Sequence, residues 1–233
     1  MSRVKPTIFM FPFAGGNSSS YNLLSTKLTH AYNVITPELP GRGNLSQYRH
    51  LEDINSLVDY LLNIVIKPHI INENYFLYGH SMGGLITYLL TCKISKNLLP
   101  LPKHVVISGK NHPSNKTNRS LATLDSDNFW QEVEKMGGTP KNLLLHKELK
   151  DYFEPILRHD FNLLEKYNFV RSEKTLKVPM TVMYGEQDNM SVESIYRWQE
   201  ENEEQINFIG MNGSHFFIFE NAEKITDYLI SLI

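Results

Sequence analysis

Apolar residues fall along this chain in two alternating kinds of block. Short continuous runs stand at Thr7-Ile8-Phe9-Met10-Phe11, Asn33-Val34-Ile35-Thr36, Tyr75-Phe76-Leu77-Tyr78, Val105-Val106-Ile107, Met180-Thr181-Val182-Met183-Tyr184 and Ile206-Asn207-Phe208-Ile209. Such runs suit strands buried on both faces. Between them lie segments with helical spacing. In residues 52–66, Ile54, Leu57, Val58, Leu61, Leu62 and Val65 share one face. Further helices are predicted from Ser18 to about His30, from Gly83 to about Lys96, over Val192–Glu201 and from about Ala222. Strands alternating with helices predict a parallel sheet covered on both faces.

The alternation stops between about residues 112 and 172. Asn and Ser crowd His112 to Asn118, and three helical patterns follow without a strand: Phe129–Met136, Leu143–Phe153 and Phe161–Tyr167. The expected organisation is an α/β core (residues 1–111 and 172–233) carrying a helical insertion (residues 112–171). The acidic run Glu200-Glu201-Asn202-Glu203-Glu204 reads as a solvated helix end.

Composition narrows the class. The chain has 233 residues, 41% of them apolar, with 23 Lys+Arg against 25 Asp+Glu, a net charge of −2. That is too apolar and too weakly charged for disorder, and it lacks the basic excess that phosphate-backbone binding needs, so no nucleic acid partner is expected. The single cysteine, Cys92, cannot form an internal disulfide and fits a reducing compartment. No apolar run approaches the roughly 18 residues of a membrane span, and Met1-Ser2-Arg3-Val4-Lys5-Pro6 does not read as a signal peptide. A cytoplasmic protein without a membrane partner is expected.

The chemistry concentrates at strand ends. Gly79-His80-Ser81-Met82-Gly83 is a G-x-S-x-G between a strand and a helix, the context of a nucleophile elbow. A serine hydroxyl needs a base within hydrogen-bond reach and a third group to orient that base. His104, His112, His146, His159 and His215 follow Ser81. His215, in Gly213-Ser214-His215-Phe216, falls in a loop at the carboxyl edge of the sheet beside the elbow and is favoured as the base, whereas His104 begins a strand at the opposite edge and His146 and His159 lie in the insertion. For the acid, Tyr184-Gly185-Glu186-Gln187-Asp188 follows a strand at that same edge. Asp188 is favoured and Glu186 is its near rival; the loop after the preceding strand, Ile107 to Asn111, holds no carboxylate. The oxyanion of the tetrahedral intermediate is expected to meet two backbone N–H groups. One belongs to Met82 and the other to Ala14, in the loop Pro12-Phe13-Ala14-Gly15-Gly16. The histidines show no metal-ligand spacing and no Gly-rich nucleotide fingerprint follows the first strand, so no metal or bound cofactor is expected.

The whole pattern resembles the type II thioesterases, stand-alone editing hydrolases of nonribosomal peptide and polyketide assembly lines. The likeness covers about residues 9–220: the first loop Pro12–Gly16, the turn Pro40-Gly41-Arg42-Gly43, and the elbow through Gly84. It continues in Gly137-Gly138-Thr139-Pro140, Leu157-Arg158-His159-Asp160-Phe161 and Gly213–Phe217. Lys110 stands where many relatives carry arginine. The resemblance implies an α/β-hydrolase fold with residues 112–171 as a lid that Asp160 helps to anchor. It also implies hydrolysis of acyl thioesters on the phosphopantetheine arm of acyl- or peptidyl-carrier proteins, by a monomer. A general carboxylester hydrolase with the same triad, or a scaffold without catalysis, are the competing readings.

Overall fold

A computed structural model describes residues 5–72, 74–115, 120–171 and 175–233. Its strands are β1 (Thr7–Phe11), β2 (Asn33–Ile35), β3 (Tyr75–His80), β4 (His104–Ser108), β5 (Met180–Gly185) and β6 (Asn207–Met211). They form one sheet in the order β2-β1-β3-β4-β5-β6, and every pairing is parallel. The six apolar runs therefore became the six strands. The central strand β3 is buried along its whole length, as a strand with helices on both faces must be.

The helices are α1 (Asn22–Leu28), α2 (Ile54–Tyr60), α3 (Met82–Lys96), α4 (Ser126–Met136), α5 (Lys141–Leu145), α6 (Lys147–Lys166), α7 (Val192–Tyr196), α8 (Phe217–Glu220) and α9 (Ala222–Ser231). Two apolar layers flank the sheet. One gathers Leu57, Leu61, Leu85, Ile86 and Trp198 around Phe9 and Leu77. The other gathers Leu24, Leu28, Ile225 and Leu229 around Ile8 and Tyr78. Alternate residues of β1 and β3 thus face opposite layers, which is the period-2 geometry of a strand.

Helices α4 to α6 lie between β4 and β5 and carry a separate apolar cluster of Phe129, Trp130, Val133, Leu143 and Leu157. Phe129 and Trp130 are buried in that cluster, whereas Tyr152 is exposed. The two helices expected at Leu143–Phe153 and Phe161–Tyr167 are arranged differently: α6 is one helix of 20 residues that runs through Pro155. Proline removes an N–H and normally breaks a helix. Here Ile156, Leu157, Asp160 and Leu163 are all buried on the C-terminal side of Pro155, and that packing carries the helix past it. The expected core boundary at residue 172 falls outside the described residues.

The acidic run also differs from its reading as a solvated end. Glu201 is 3% exposed. It accepts hydrogen bonds from Tyr88 Oη at 2.5 Å and His112 Nε2 at 3.2 Å, and pairs with Arg171 Nε at 3.3 Å. His112 and Arg171 are the first and last residues of the expected insertion, so one buried carboxylate holds both of its stems. Burial opposes ionisation of Glu201, but the hydrogen bonds from His112 and Tyr88 and the charge of Arg171 outweigh it and pull its pKa below the usual carboxylate value.

Candidate active site

The carboxyl ends of β3, β4, β5 and β6 point the same way, so the loops that leave them meet at one edge of the sheet. Ser81 leaves β3 with φ +56° and ψ −115° and opens α3. A serine in this region costs on the order of 1–3 kcal/mol and persists only where the surroundings fix it. They do so here. Ser81 N–H donates to Ser108 O at 2.8 Å, and the Ser81 carbonyl accepts from Gly84 N at 3.0 Å and Leu85 N at 3.2 Å. The turn is tight enough that a Cβ on Gly79 would strike the Gly83 carbonyl, and one on Gly83 would strike the carbonyl of Phe11.

His215 follows β6, and Asp188 follows β5. His215 Nε2 lies 3.0 Å from Ser81 Oγ, and His215 Nδ1 lies 2.7 Å from Asp188 Oδ2. Two backbone hydrogen bonds stitch the β5 and β6 loops together: Glu186 N to Met211 O at 2.9 Å and Gln187 N to Gly213 O at 3.0 Å. Asp188 is thereby held against a residue 27 positions further along. Glu186 donates its N–H to that stitch, and its side chain packs beside Gly210. The rival carboxylate does not reach the imidazole. His104 instead meets Thr181 Oγ1 at 2.8 Å, His112 holds Glu201, and His159 of the helical insertion lies with its ring 4.3 Å from that of His50, tilted by 34°.

His80, the residue before the serine, is fully buried, with Nδ1 2.9 Å from Ser108 Oγ. Burial, reinforced by the nearby His215, pushes its pKa well below the usual imidazole range. A neutral ring therefore stands 5.2 Å from the His215 ring. Cys92 lies half-buried on α3, its thiol raised to about 11 mainly by burial, far from thiolate reactivity.

Beside the elbow, the loop after β1 is positioned by register, since Phe11 is paired with Gly79. Met82 N–H is the first of α3 and has no intrahelical acceptor. Among the described residues, neither Met82 N–H nor Ala14 N–H donates a hydrogen bond.

The helical insertion touches this edge twice. Gly138, at φ +73°, sits so close over Phe216 that a Cβ there would enter its ring. Leu157 of α6 packs likewise on Gly15, and three residues later Asp160 Oδ2 accepts the Gly15 N–H at 2.7 Å. Asp160 also takes a two-point hydrogen bond from Arg42, Nη2 to Oδ1 at 2.5 Å and Nη1 to Oδ2 at 2.7 Å. Arg42 Nη1 also donates to Gly16 O at 3.0 Å. The structural role expected for Asp160 has its partner in Arg42, whose side chain the sequence offered only as part of a turn.

A serine on a strained turn, with an imidazole and a carboxylate in line, is a site for acyl transfer to water. The thioesterase domain family matches residues 6–232 of this chain. The chain belongs to the thioesterase family. This thioesterase is accordingly a hydrolase acting on thioesters, with the α/β-hydrolase fold. It is 27% identical over 230 residues to the gramicidin S biosynthesis protein GrsT of Aneurinibacillus migulanus, covering 98% of this chain and 89% of that protein. It is 24% identical over 229 residues to the medium-chain S-acyl fatty acid synthase thioesterase of Rattus norvegicus, covering 95% and 86%. Among solved structures, ClbQ from the colibactin NRPS/PKS pathway is similar at 26% identity and a TM-score of 0.90, over 98% of this chain and 96% of that one. The fold is shared as well by the RedJ thioesterase of the prodiginine pathway in Streptomyces coelicolor, with a TM-score of 0.91 at 24% identity, over 99% and 91%.

Proposed function

We propose that this thioesterase removes stalled or aberrant acyl groups from the phosphopantetheine arms of carrier proteins in nonribosomal peptide or polyketide synthesis. The observation that carries the catalytic part is the line Ser81 Oγ, His215, Asp188, at 3.0 and 2.7 Å. His215 Nε2 takes the Ser81 proton as Oγ attacks the thioester carbonyl. Asp188 holds the imidazole by Nδ1 and stabilises its charged form. The N–H groups of Ala14 and Met82 receive the oxyanion, a contribution typically of a hundred- to a thousandfold in rate. Collapse of the intermediate breaks the C–S bond and releases the pantetheine thiol, protonated by His215. Water, deprotonated by His215, then hydrolyses the acyl-Ser81 ester and restores the hydroxyl.

The substrate side rests on relatives. GrsT is named for gramicidin S biosynthesis and ClbQ for an NRPS/PKS pathway. In this reading the partner is an acyl- or peptidyl-carrier protein, met in the cytoplasm by a monomer. The pantetheine arm arrives on the partner, and Ser, His and Asp suffice for the chemistry without a cofactor or metal of the enzyme's own. Residues 112–171 act as the lid over the acyl group. No helix among the described residues is long and apolar enough to cross a membrane.

The test offers carrier proteins loaded with several acyl groups and follows their mass by intact-protein mass spectrometry. Wild type strips acyl groups and leaves free phosphopantetheine, while Ser81→Ala strips none. Wild type that releases no acyl group from any carrier, yet cleaves simple oxyesters, overturns the reading in favour of a general carboxylester hydrolase.

A further inference from the structure

Arg42 and Asp160 are 3% and 0% exposed, and they come from opposite sides of the molecule's organisation: Arg42 from a loop of the core, Asp160 from α6 of the insertion. A buried ion pair is a poor way to gain stability, because desolvation of two charges offsets most of their attraction, and apolar side chains of similar volume do as well. This pair even leaves Arg42 Nε buried without an acceptor. What it achieves is positional. Its free hydrogen-bonding capacity goes to two consecutive residues of the loop after β1: Asp160 Oδ2 takes the Gly15 N–H, and Arg42 Nη1 donates to the Gly16 carbonyl. Gly15 sits at φ +74°, with Leu157 pressed against the place where a Cβ would be. The residue preceding Gly15 is Ala14, whose N–H is without a partner among the described residues.

We infer that Arg42 and Asp160 are positioning residues for the oxyanion hole: the seated helix α6 fixes the Ala14 N–H, so that the hole is complete only while the insertion is docked on the core. The inference rests on the proposed acyl-transfer role of Ser81 and Ala14, and it does not depend on a carrier protein as substrate. Neither side chain touches the reacting atoms. Asp160 acts through Gly15, one peptide away, and Arg42 acts through Asp160 and Gly16. When α6 lifts away, Asp160 and Leu157 leave together, the Gly15 tether is released, and Ser81 keeps its histidine but loses one oxyanion donor. Substrate thus enters an unreactive site, and hydrolysis waits for the insertion to settle.

The test uses the full-length enzyme with soluble acyl-pantetheine thioesters and two binding probes. One is a trifluoromethyl ketone analogue, which Ser81 Oγ adds to, with its proton passing to His215 and an oxyanion forming on the ketone oxygen. The other is the acyl-pantetheine amide, which binds without that charge. The variants are Asp160→Asn, which keeps one acceptor, and the apolar pair Arg42→Met with Asp160→Leu, which removes both charges and the Gly15 acceptor together. The expected result for the apolar pair is a fall of about a hundredfold in kcat and in ketone affinity, as for a misplaced or lost oxyanion donor. KM and amide affinity stay within about threefold of wild type, and Asp160→Asn lies in between. Unchanged ketone affinity, or equal losses for ketone and amide, overturns the inference. If the apolar pair does not fold, Asp160→Asn decides by the same comparison. Wild type that cleaves soluble thioesters but not loaded carriers refutes only the editing reading. Wild type that neither cleaves them nor binds the ketone refutes both.

Discussion

Asp188 Oδ2 and His215 Nδ1 lie 2.7 Å apart, and that contact decides which tautomer faces the nucleophile. With Nδ1 donating to the carboxylate, Nε2 is left as the acceptor for the Ser81 hydroxyl at 3.0 Å. Asp188→Asn keeps the shape but permits the wrong tautomer, and kcat on acyl-pantetheine thioesters is expected to fall by about four orders of magnitude. Glu186→Gln removes a charge from the same loop without touching His215, and kcat should stay within about twofold. Steady-state kinetics of the two variants side by side distinguish a specific acid from a generally acidic loop. Equal losses would show that Glu186 shares the role.

The elbow makes a prediction about stability. A methyl group on Gly83 would meet the Phe11 carbonyl, and beyond it that of Pro12. Backbone cannot rotate aside as a side chain does, so Gly83→Ala must push α3 away from β1. Overpacking of this kind costs about 1–3 kcal/mol, which for a chain of this size lowers Tm by roughly 2–12 °C. Calorimetry gives the shift, and activity is expected to fall further than stability, because Ser81 and Met82 open the displaced helix. A variant as active and as stable as wild type would mean that the elbow is looser than its contacts indicate.

How much of this site a reader of the sequence can see follows from how local each signal is. Gly79, Ser81 and Gly83 are legible together because one turn imposes all three. Asp188 and His215 are legible because a parallel sheet brings its loops to one edge, and counting strands assigns them. Arg42 and Asp160 are 118 residues apart, and neither sits in a pattern that demands a partner of opposite charge. Their pairing depends on where α6 lands, which the chain does not announce. Glu201 is hidden for another reason. It stands among acidic neighbours that are solvent-facing, and only the final turn of the chain before β6, at Arg197–Glu201, selects which carboxylate points inward.

That inward carboxylate predicts the acid limb of stability. The pKa of Glu201 is lower folded than unfolded, so the unfolded chain takes up its proton first as pH falls. The stabilisation is complete above the usual carboxylate value of about 4.3, and it is lost as pH drops from there through the lowered value. Glu201→Gln should flatten this part of the pH–stability curve. At neutral pH, Glu201→Ala should destabilise by about 3 kcal/mol, because it leaves His112 and Tyr88 facing a void. Denaturant melts from pH 3 to 7 would show both effects. A Glu201→Gln curve that runs parallel to wild type would show that Glu201 titrates alike in both states.

A second pH effect acts nearer neutrality, at the seat of α6. The rings of His50 and His159 lie 4.3 Å apart, centre to centre, and His159 lines the same small cavity as Arg42 and Asp160. Burial is the main cause that lowers the pKa of each, with Arg42 adding to it and Asp160 opposing; for His159, His50 and Lys166 lower it further. Both histidines are therefore harder to protonate when α6 is docked than when it is lifted. Below about pH 6.5, the ordinary imidazole value, the undocked or unfolded state binds protons that the docked state refuses, so docking weakens as pH falls. Hydrogen exchange of the α6 amides and of Gly15 is expected to accelerate between pH 7.5 and 5.5, after correction for the intrinsic rate. The paired change His50→Phe with His159→Phe keeps two flat rings in contact and removes the titration, so the exchange of the same amides should become nearly independent of pH. If the double variant keeps the full pH dependence, the sensitivity lies elsewhere, and the histidine pair is packing alone.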